Sequence, residues 1–165
     1  MPTQRGPIVV CGVSGCGKST VGAALAAHLG VPFVDADDLH PAANIAKMAA
    51  GQPLTDSDRL PWLDAVGRWL ADHADGVCAC SALRHGYRDQ LCRRAPGVRF
   101  VMLAVDPGVV KARVRARHGH FMPATLVDSQ FAALEPLGPD EPGITVDATL
   151  PLDGVVDEIV DRVLR

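Results

Sequence analysis

The sequence predicts an α/β fold, a five-stranded parallel sheet flanked by helices, folded as a single domain over residues 1–165. Three observations carry that prediction. Short apolar runs recur, such as Ile8-Val-Val-Cys11 and Val98 to Val105, without the polar alternation of a half-solvated sheet, as strands covered on both faces require. Stretches of helical periodicity separate the runs and are long enough for the crossovers that parallel neighbours need. The first run also ends in a glycine-rich turn that opens a helix, at the sheet edge where ligands of such folds collect.

Taken in order, the strand Ile8 to Gly12 leads to an Ala-rich helix, Ser19 to Leu29, closed by Gly30. Pro32 to Asp35 reads as a second short strand. A helix follows from about Pro41 to Ala50, with proline early and Gly51 just past its end. Thr55-Asp-Ser-Asp58 supplies N-cap residues for a helix on which Trp62, Val66, Trp69 and Leu70 recur at helical spacing, ending near Asp75-Gly76. Its apolar residues belong either to the core or to a dimer contact. Val77 to Ser81 is a strand, Tyr87 to Arg94 a helix, and Val98 to Val105 a strongly apolar strand. A helix from Pro107 to Arg117 runs into the basic, glycine-interrupted stretch Arg117-His-Gly-His-Phe-Met-Pro123, read as a mobile lid over about 117–125. A helix from about Ala124 to Leu134, a short strand Ile144-Thr-Val146 and a helix from Leu152 to Leu164 complete the chain.

Composition narrows the function classes. With 48% hydrophobic and 21% charged residues in 165, the chain has enough apolar material for one substantial core. A net charge of −3 gives no general attraction to nucleic acid or anionic lipid, so anion binding is expected to be local. No membrane span or signal-peptide pattern is present, and a cytoplasmic location is expected. Five cysteines without a zinc spacing read as reduced thiols, Cys78 and Cys80 as small buried hydrophobes.

The strongest signal is Gly12, Val13, Ser14, Gly15, Cys16, Gly17, Lys18 and Ser19, which fit G-x-x-x-x-G-K-[ST] between a strand and a helix. Glycines let the backbone curl so that N–H groups converge on a β-phosphate, and the helix dipole adds to the attraction. The nucleotide-binding set therefore runs from Gly12 to Thr20, with Lys18 reaching the β- and γ-phosphates and Ser19 placed to coordinate Mg²⁺. ATP and Mg²⁺ are the implied cosubstrate and metal. Cys16 either fills space or, at the helix start, ionises readily enough to be oxidation-sensitive; the first reading is preferred.

A phosphate loop alone does not separate a kinase from a regulatory nucleotide-binding module. Asp35-Ala-Asp37 ends the second strand, and alternation in an extended segment puts both carboxylates on one side. One would hold Mg²⁺ through water while the other takes the acceptor hydroxyl's proton; alternatively both are solvated, with Asp38 a helix cap. Arg113 and Arg117 share a helix face and either clamp the phosphoryl group, stack on adenine, or complement the helix dipole. Arg84 and Arg88 suit an acceptor carboxylate or a surface salt bridge. His40 hydrogen-bonds a polyol or fixes its loop.

Together these motifs resemble the gluconate kinase (gluconokinase) family of P-loop small-molecule kinases. The resemblance rests on Gly12 to Ser19, on Asp35-Ala-Asp-Asp-Leu-His-Pro41 with Asn44-Ile-Ala-Lys47, and on Gly51 to Arg59 with Trp62-Leu63. It continues through Cys80-Ser-Ala-Leu-Arg84, Tyr87-Arg-Asp89, Arg117-His-Gly-His120-Phe-Met, Ser129-Gln-Phe131 and Leu134-Glu-Pro136. Cys16 and His118 depart from the serine and lysine usual in that family. The resemblance implies a P-loop kinase fold and transfer of the ATP γ-phosphate to the 6-hydroxyl of D-gluconate by a homodimer. It also implies that Asp37 orients the acceptor hydroxyl and Asp35 backs the Mg²⁺. Arg113 and Arg117 become lid residues on nucleotide, with Lys18, Asp37 and Arg117 catalytic. His40, Arg59, Arg84, Arg88 and His120 fall, with Asp37, on the gluconate side. Rival readings are a shikimate- or nucleotide-type kinase and a regulatory module without phosphotransfer.

Overall fold

The computed structural model describes residues 5–116 and 124–163. Five strands form one sheet in the order β2-β3-β1-β4-β5, with β1 Ile8–Cys11, β2 Phe33–Asp35, β3 Val77–Ala79, β4 Arg99–Ala104 and β5 Gly143–Asp147. Every pairing is parallel, with Ile8 opposite both Val77 and Arg99. The expected fold class is therefore the observed one. Strand β1 sits in the middle with β3 on one side and β4 on the other, so the chain diverges at its carboxyl end and leaves a crevice there.

Seven helices accompany the sheet among the described residues: α1 Lys18–Leu29, α2 Ala42–Ala49, α3 Asp56–Asp72, α4 His85–Arg94, α5 Pro107–Ala116, α6 Ala124–Ala133 and α7 Leu152–Val163. Because successive strand residues face opposite ways, Val9 and Val10 are both fully buried but in different layers. Val10 packs with Leu25, Val155 and Ile159, whereas Val9 packs with Trp62, Val66, Leu70 and Leu91. The Trp62 to Leu70 helix thus contributes core, and the large exposed apolar side chains nearby are Ile45, Met48 and Leu60.

Helix α3 starts where the cap residues predict, through a reciprocal box: Thr55 Oγ1 accepts from Asp58 N–H and Asp58 Oδ2 from Thr55 N–H. Its end comes earlier than expected, at Asp72, where His73 stacks on Trp69 and bonds the Trp69 carbonyl. β3 stops at Ala79 instead of Ser81 because Ala82 adopts a left-handed φ of 40° and turns the chain into α4. No described helix is long and apolar enough to cross a membrane.

Candidate active site

The donor side is built on backbone. Gly12, Gly15 and Gly17 hold φ values of 143°, 83° and 94°, which curl the loop between β1 and α1. At Gly12 a Cβ would lie 2.9 Å from Cys16 Sγ and 3.1 Å from the Leu103 carbonyl oxygen, so no side chain fits. Gly17 caps α1 without a side-chain hydrogen bond, leaving the first helical N–H groups to a ligand. Cys16 is buried against Gly12; desolvation pushes its thiol up despite Lys18, which favours the space-filling reading over a reactive thiolate.

Ser19 Oγ donates to Asp35 Oδ2 at 2.6 Å, so the two residues expected at Mg²⁺ meet across β2 and α1. No group of three metal-ligating side chains occurs among the described residues. A hydroxyl with one carboxylate behind it suits Mg²⁺, which keeps waters and takes phosphate oxygens for its remaining positions. Arg113 lies outside the loop, donating to the carbonyls of Cys16 and Ala148, each at 3.2 Å. It braces the loop's backbone from α5. Arg117 and His120, and most of the expected lid, lie outside the described residues.

On the acceptor side one expectation is corrected. The chain does not stay extended after Asp35: residues Ala36–Leu39 form a 3-10 turn, and Asp35 Oδ1 caps it by accepting from Asp37 N–H at 2.9 Å. Capping, not strand alternation, brings the two carboxylates together, and Asp38 is not the cap. Asp37 is held above the usual carboxylate range by partial desolvation and then by the charge of Asp35, with Lys18 opposing.

Trp62 organises this turn. Its indole N–H donates to the Ala36 carbonyl at 2.7 Å, and its ring stacks on His40 at 4.4 Å with 9° between planes. Asn44 Nδ2 reaches the Asp58 carbonyl at 2.9 Å and His40 Nδ1 at 3.2 Å. A carbonyl only accepts, so that atom is the amide nitrogen, His40 Nδ1 is an acceptor, and the neutral ring carries its proton on Nε2. Desolvation lowers the His40 pKa, as does Arg59, against the pull of Asp37. The imidazole is thereby kept neutral. Lys47 Nζ bonds Asp58 Oδ2 at 2.6 Å, tying α2 to α3 and, with the Thr55 cap, holding the Asp58 carboxyl down to about 2.

Arg59 lies over the Tyr87 ring at 5.6 Å, and Tyr87 donates to Asp56 Oδ1 at 2.7 Å. Arg84 stands exposed at the start of α4. The expectation of an Arg84 and Arg88 pair on one ligand is not met. Arg88 is 1% exposed, bonded by Nε to Glu141 Oε1 at 2.7 Å and by its other nitrogens to the Ala82 and Glu135 carbonyls. It fixes the strained Ala82 turn that presents Arg84. Trp62, Asn44 and Gln130 have site contacts that the sequence reading did not assign; only their three-dimensional partners mark them, since tryptophan at helical spacing reads as core.

With this geometry in view, a family model described as an AAA domain matches residues 8–137. A gluconokinase of Gluconobacter oxydans is 45% identical over 157 residues, spanning 93% of this chain and 88% of that protein. The crystal structure of a gluconokinase from Sinorhizobium meliloti superposes with a TM-score of 0.90 at 45% identity, covering 98% of this chain and 93% of that one. A shikimate kinase from Bacteroides thetaiotaomicron, 19% identical and covering 96% and 98% of the two chains, shares the fold with a TM-score of 0.72.

Proposed function

The chain belongs to the gluconokinase family, of the AAA-domain P-loop class, and from that premise we propose that it transfers the γ-phosphate of ATP to the 6-hydroxyl of D-gluconate. The products are 6-phospho-D-gluconate and ADP, in carbohydrate catabolism. The observation that carries the reading is the Asp35 carboxylate, which accepts from Ser19 Oγ and from the Asp37 N–H and so ties the phosphate loop to the turn that carries Asp37.

In this mechanism the loop from Gly12 to Thr20 binds the phosphates, and Lys18 stabilises charge on the transferring group. Ser19, with Asp35 behind it, would hold Mg²⁺, which would further neutralise phosphate charge. Asp37 accepts the proton of the attacking 6-hydroxyl; desolvation and then the charge of Asp35 raise its pKa, which makes its carboxylate a stronger base than an ordinary aspartate. His40 donates its Nε2 proton to a gluconate hydroxyl, its ring held by Trp62 and Asn44. Arg84 and Arg59 take the carboxylate end. Arg113 and Arg117 belong to the nucleotide side and His120 to the acceptor side, the lid over about 117–125 closing to exclude water. The exposed Ile45, Met48 and Leu60 support a homodimer, and the protein acts in the cytoplasm on a small molecule, with no nucleic acid or membrane partner.

A coupled ADP-release assay with MgATP tests the assignment against gluconate, shikimate, glycerate, AMP and no acceptor. Gluconate-dependent turnover well above the others is expected; acceptor-independent hydrolysis alone would overturn the kinase reading.

A further inference from the structure

Helix α6 carries a residue, Gln130, that grips the phosphate loop without belonging to it. Its Oε1 accepts from Ser14 N–H at 2.5 Å and its Nε2 donates to Ser14 Oγ at 2.9 Å. A planar amide bridging the N–H and hydroxyl of one residue fixes both the position and the rotamer of that residue. It also occupies the Ser14 N–H; the Cys16 N–H donates to the Val13 carbonyl at 3.2 Å, so in this arrangement neither amide is left for phosphate.

The chain leaving α6 is bound just as firmly to the acceptor side. Glu135 N–H donates to the Leu83 carbonyl at 2.7 Å, and Glu135 Oε1 accepts from His85 N–H at 3.0 Å. Arg88 closes the same joint through the carbonyls of Ala82 at 2.8 Å and Glu135 at 2.9 Å. One short element therefore has one end on the phosphate loop and the other on the turn that presents Arg84.

We propose that Gln130 is a positioning residue that sets the register between the donor and acceptor half-sites. It holds the γ-phosphate and the acceptor hydroxyl at reactive separation without serving the affinity of either alone. The inference rests on the gluconate reading for its choice of acceptor. Its kinetic signature follows from geometry: a misplacement of about 1 Å between reacting groups costs on the order of 100-fold in rate. Each half-site, still intact, keeps its own ligand.

Gln130→Met, near in length and volume but unable to bridge Ser14, tests this. The expected result is a fall in kcat of about 30-fold, with both KM values and the MgADP Kd within about threefold of the parent. Ser14→Ala, which removes one of the two contacts, gives a smaller fall, and the double variant is no slower than Gln130→Met alone. Hydrogen exchange measured without acceptor rises in peptides covering 12–19. Multiplying losses in the double variant, a raised KM for ATP at unchanged kcat, or unaltered exchange would each overturn the proposal. Lack of gluconate turnover in the parent enzyme strikes only the gluconate reading, because the exchange arm needs no acceptor.

Discussion

The two halves of the crevice are made of different materials. The donor half is a contiguous loop whose binding groups are mostly backbone N–H, shaped by left-handed glycines and the start of α1. The acceptor half is assembled from side chains on the turn after β2 and on helices α2, α3 and α4, each held by a partner distant in sequence. Backbone recognition tolerates changes in the side chains between the fixed positions. Side-chain recognition depends on a scaffold for every group, so damage there propagates.

Lys18 and Asp37 are the points where this contrast is most exposed. In the proposed mechanism Lys18 brings the donor half its charge on the transferring group, and Lys18→Ala should lower kcat by about 10³-fold, as loss of a preorganised charge donor does. A loss below tenfold would show that the backbone alone suffices. Asp37→Asn should remove about 10²-fold through loss of the base. The same substitution should stabilise the protein. Because the folded-state pKa of Asp37 is raised, the folded chain binds that proton more tightly than the unfolded one, and stability falls as pH rises between the two values. Above the ordinary aspartate pKa the raised value is a net cost to the folded state, so Asp37→Asn should raise the melting temperature at neutral pH, by about a degree or two, with no gain below that ordinary value. A lowered melting temperature at neutral pH would count against a desolvated, charge-crowded Asp37.

Legibility in the sequence divides along the same line. The sheet and its helices were readable because buried parallel strands and amphipathic crossovers leave periodic patterns, and the phosphate loop because its spacing is fixed by contiguous backbone. The acceptor half was readable as a set of residues and not as a geometry. Asp35 and Asp37 come together by a cap that no alternation rule anticipates, since a 3-10 turn of four residues has little signature. Arg88 shares its spacing with Arg84, yet one is buried and the other exposed; what separates them is Glu141, 53 positions away. Trp62 and Asn44 carry no local mark of their part in orienting His40.

A milder break of the acceptor scaffold is Asn44→Leu. It frees His40 Nδ1 to take the proton and leaves the ring without its second anchor, while Lys47 and Asp58 still join α2 to α3. The expected outcome is a rise of about tenfold in KM for gluconate, with kcat and the KM for ATP within about threefold, as loss of one oriented hydrogen bond implies. Equal changes in both KM values would mean that the two halves are not separable in this way.

The smallest effect belongs to the donor half and is the sharpest check on its backbone character. Cys16 occupies a variable slot of the phosphate loop, buried against Gly12 with a thiol pushed up by desolvation. If the loop binds through N–H groups, Cys16→Ser should change kcat and the KM for ATP by less than about twofold, because the hydroxyl fits the thiol's space and the N–H is retained. The parent thiol should react slowly with alkylating reagents at neutral pH, since a buried, protonated sulfur is a poor nucleophile. Rapid modification with loss of activity, or a serine variant impaired as severely as Asn44→Leu, would make the side chain at this position part of the site and erase the distinction between the two halves.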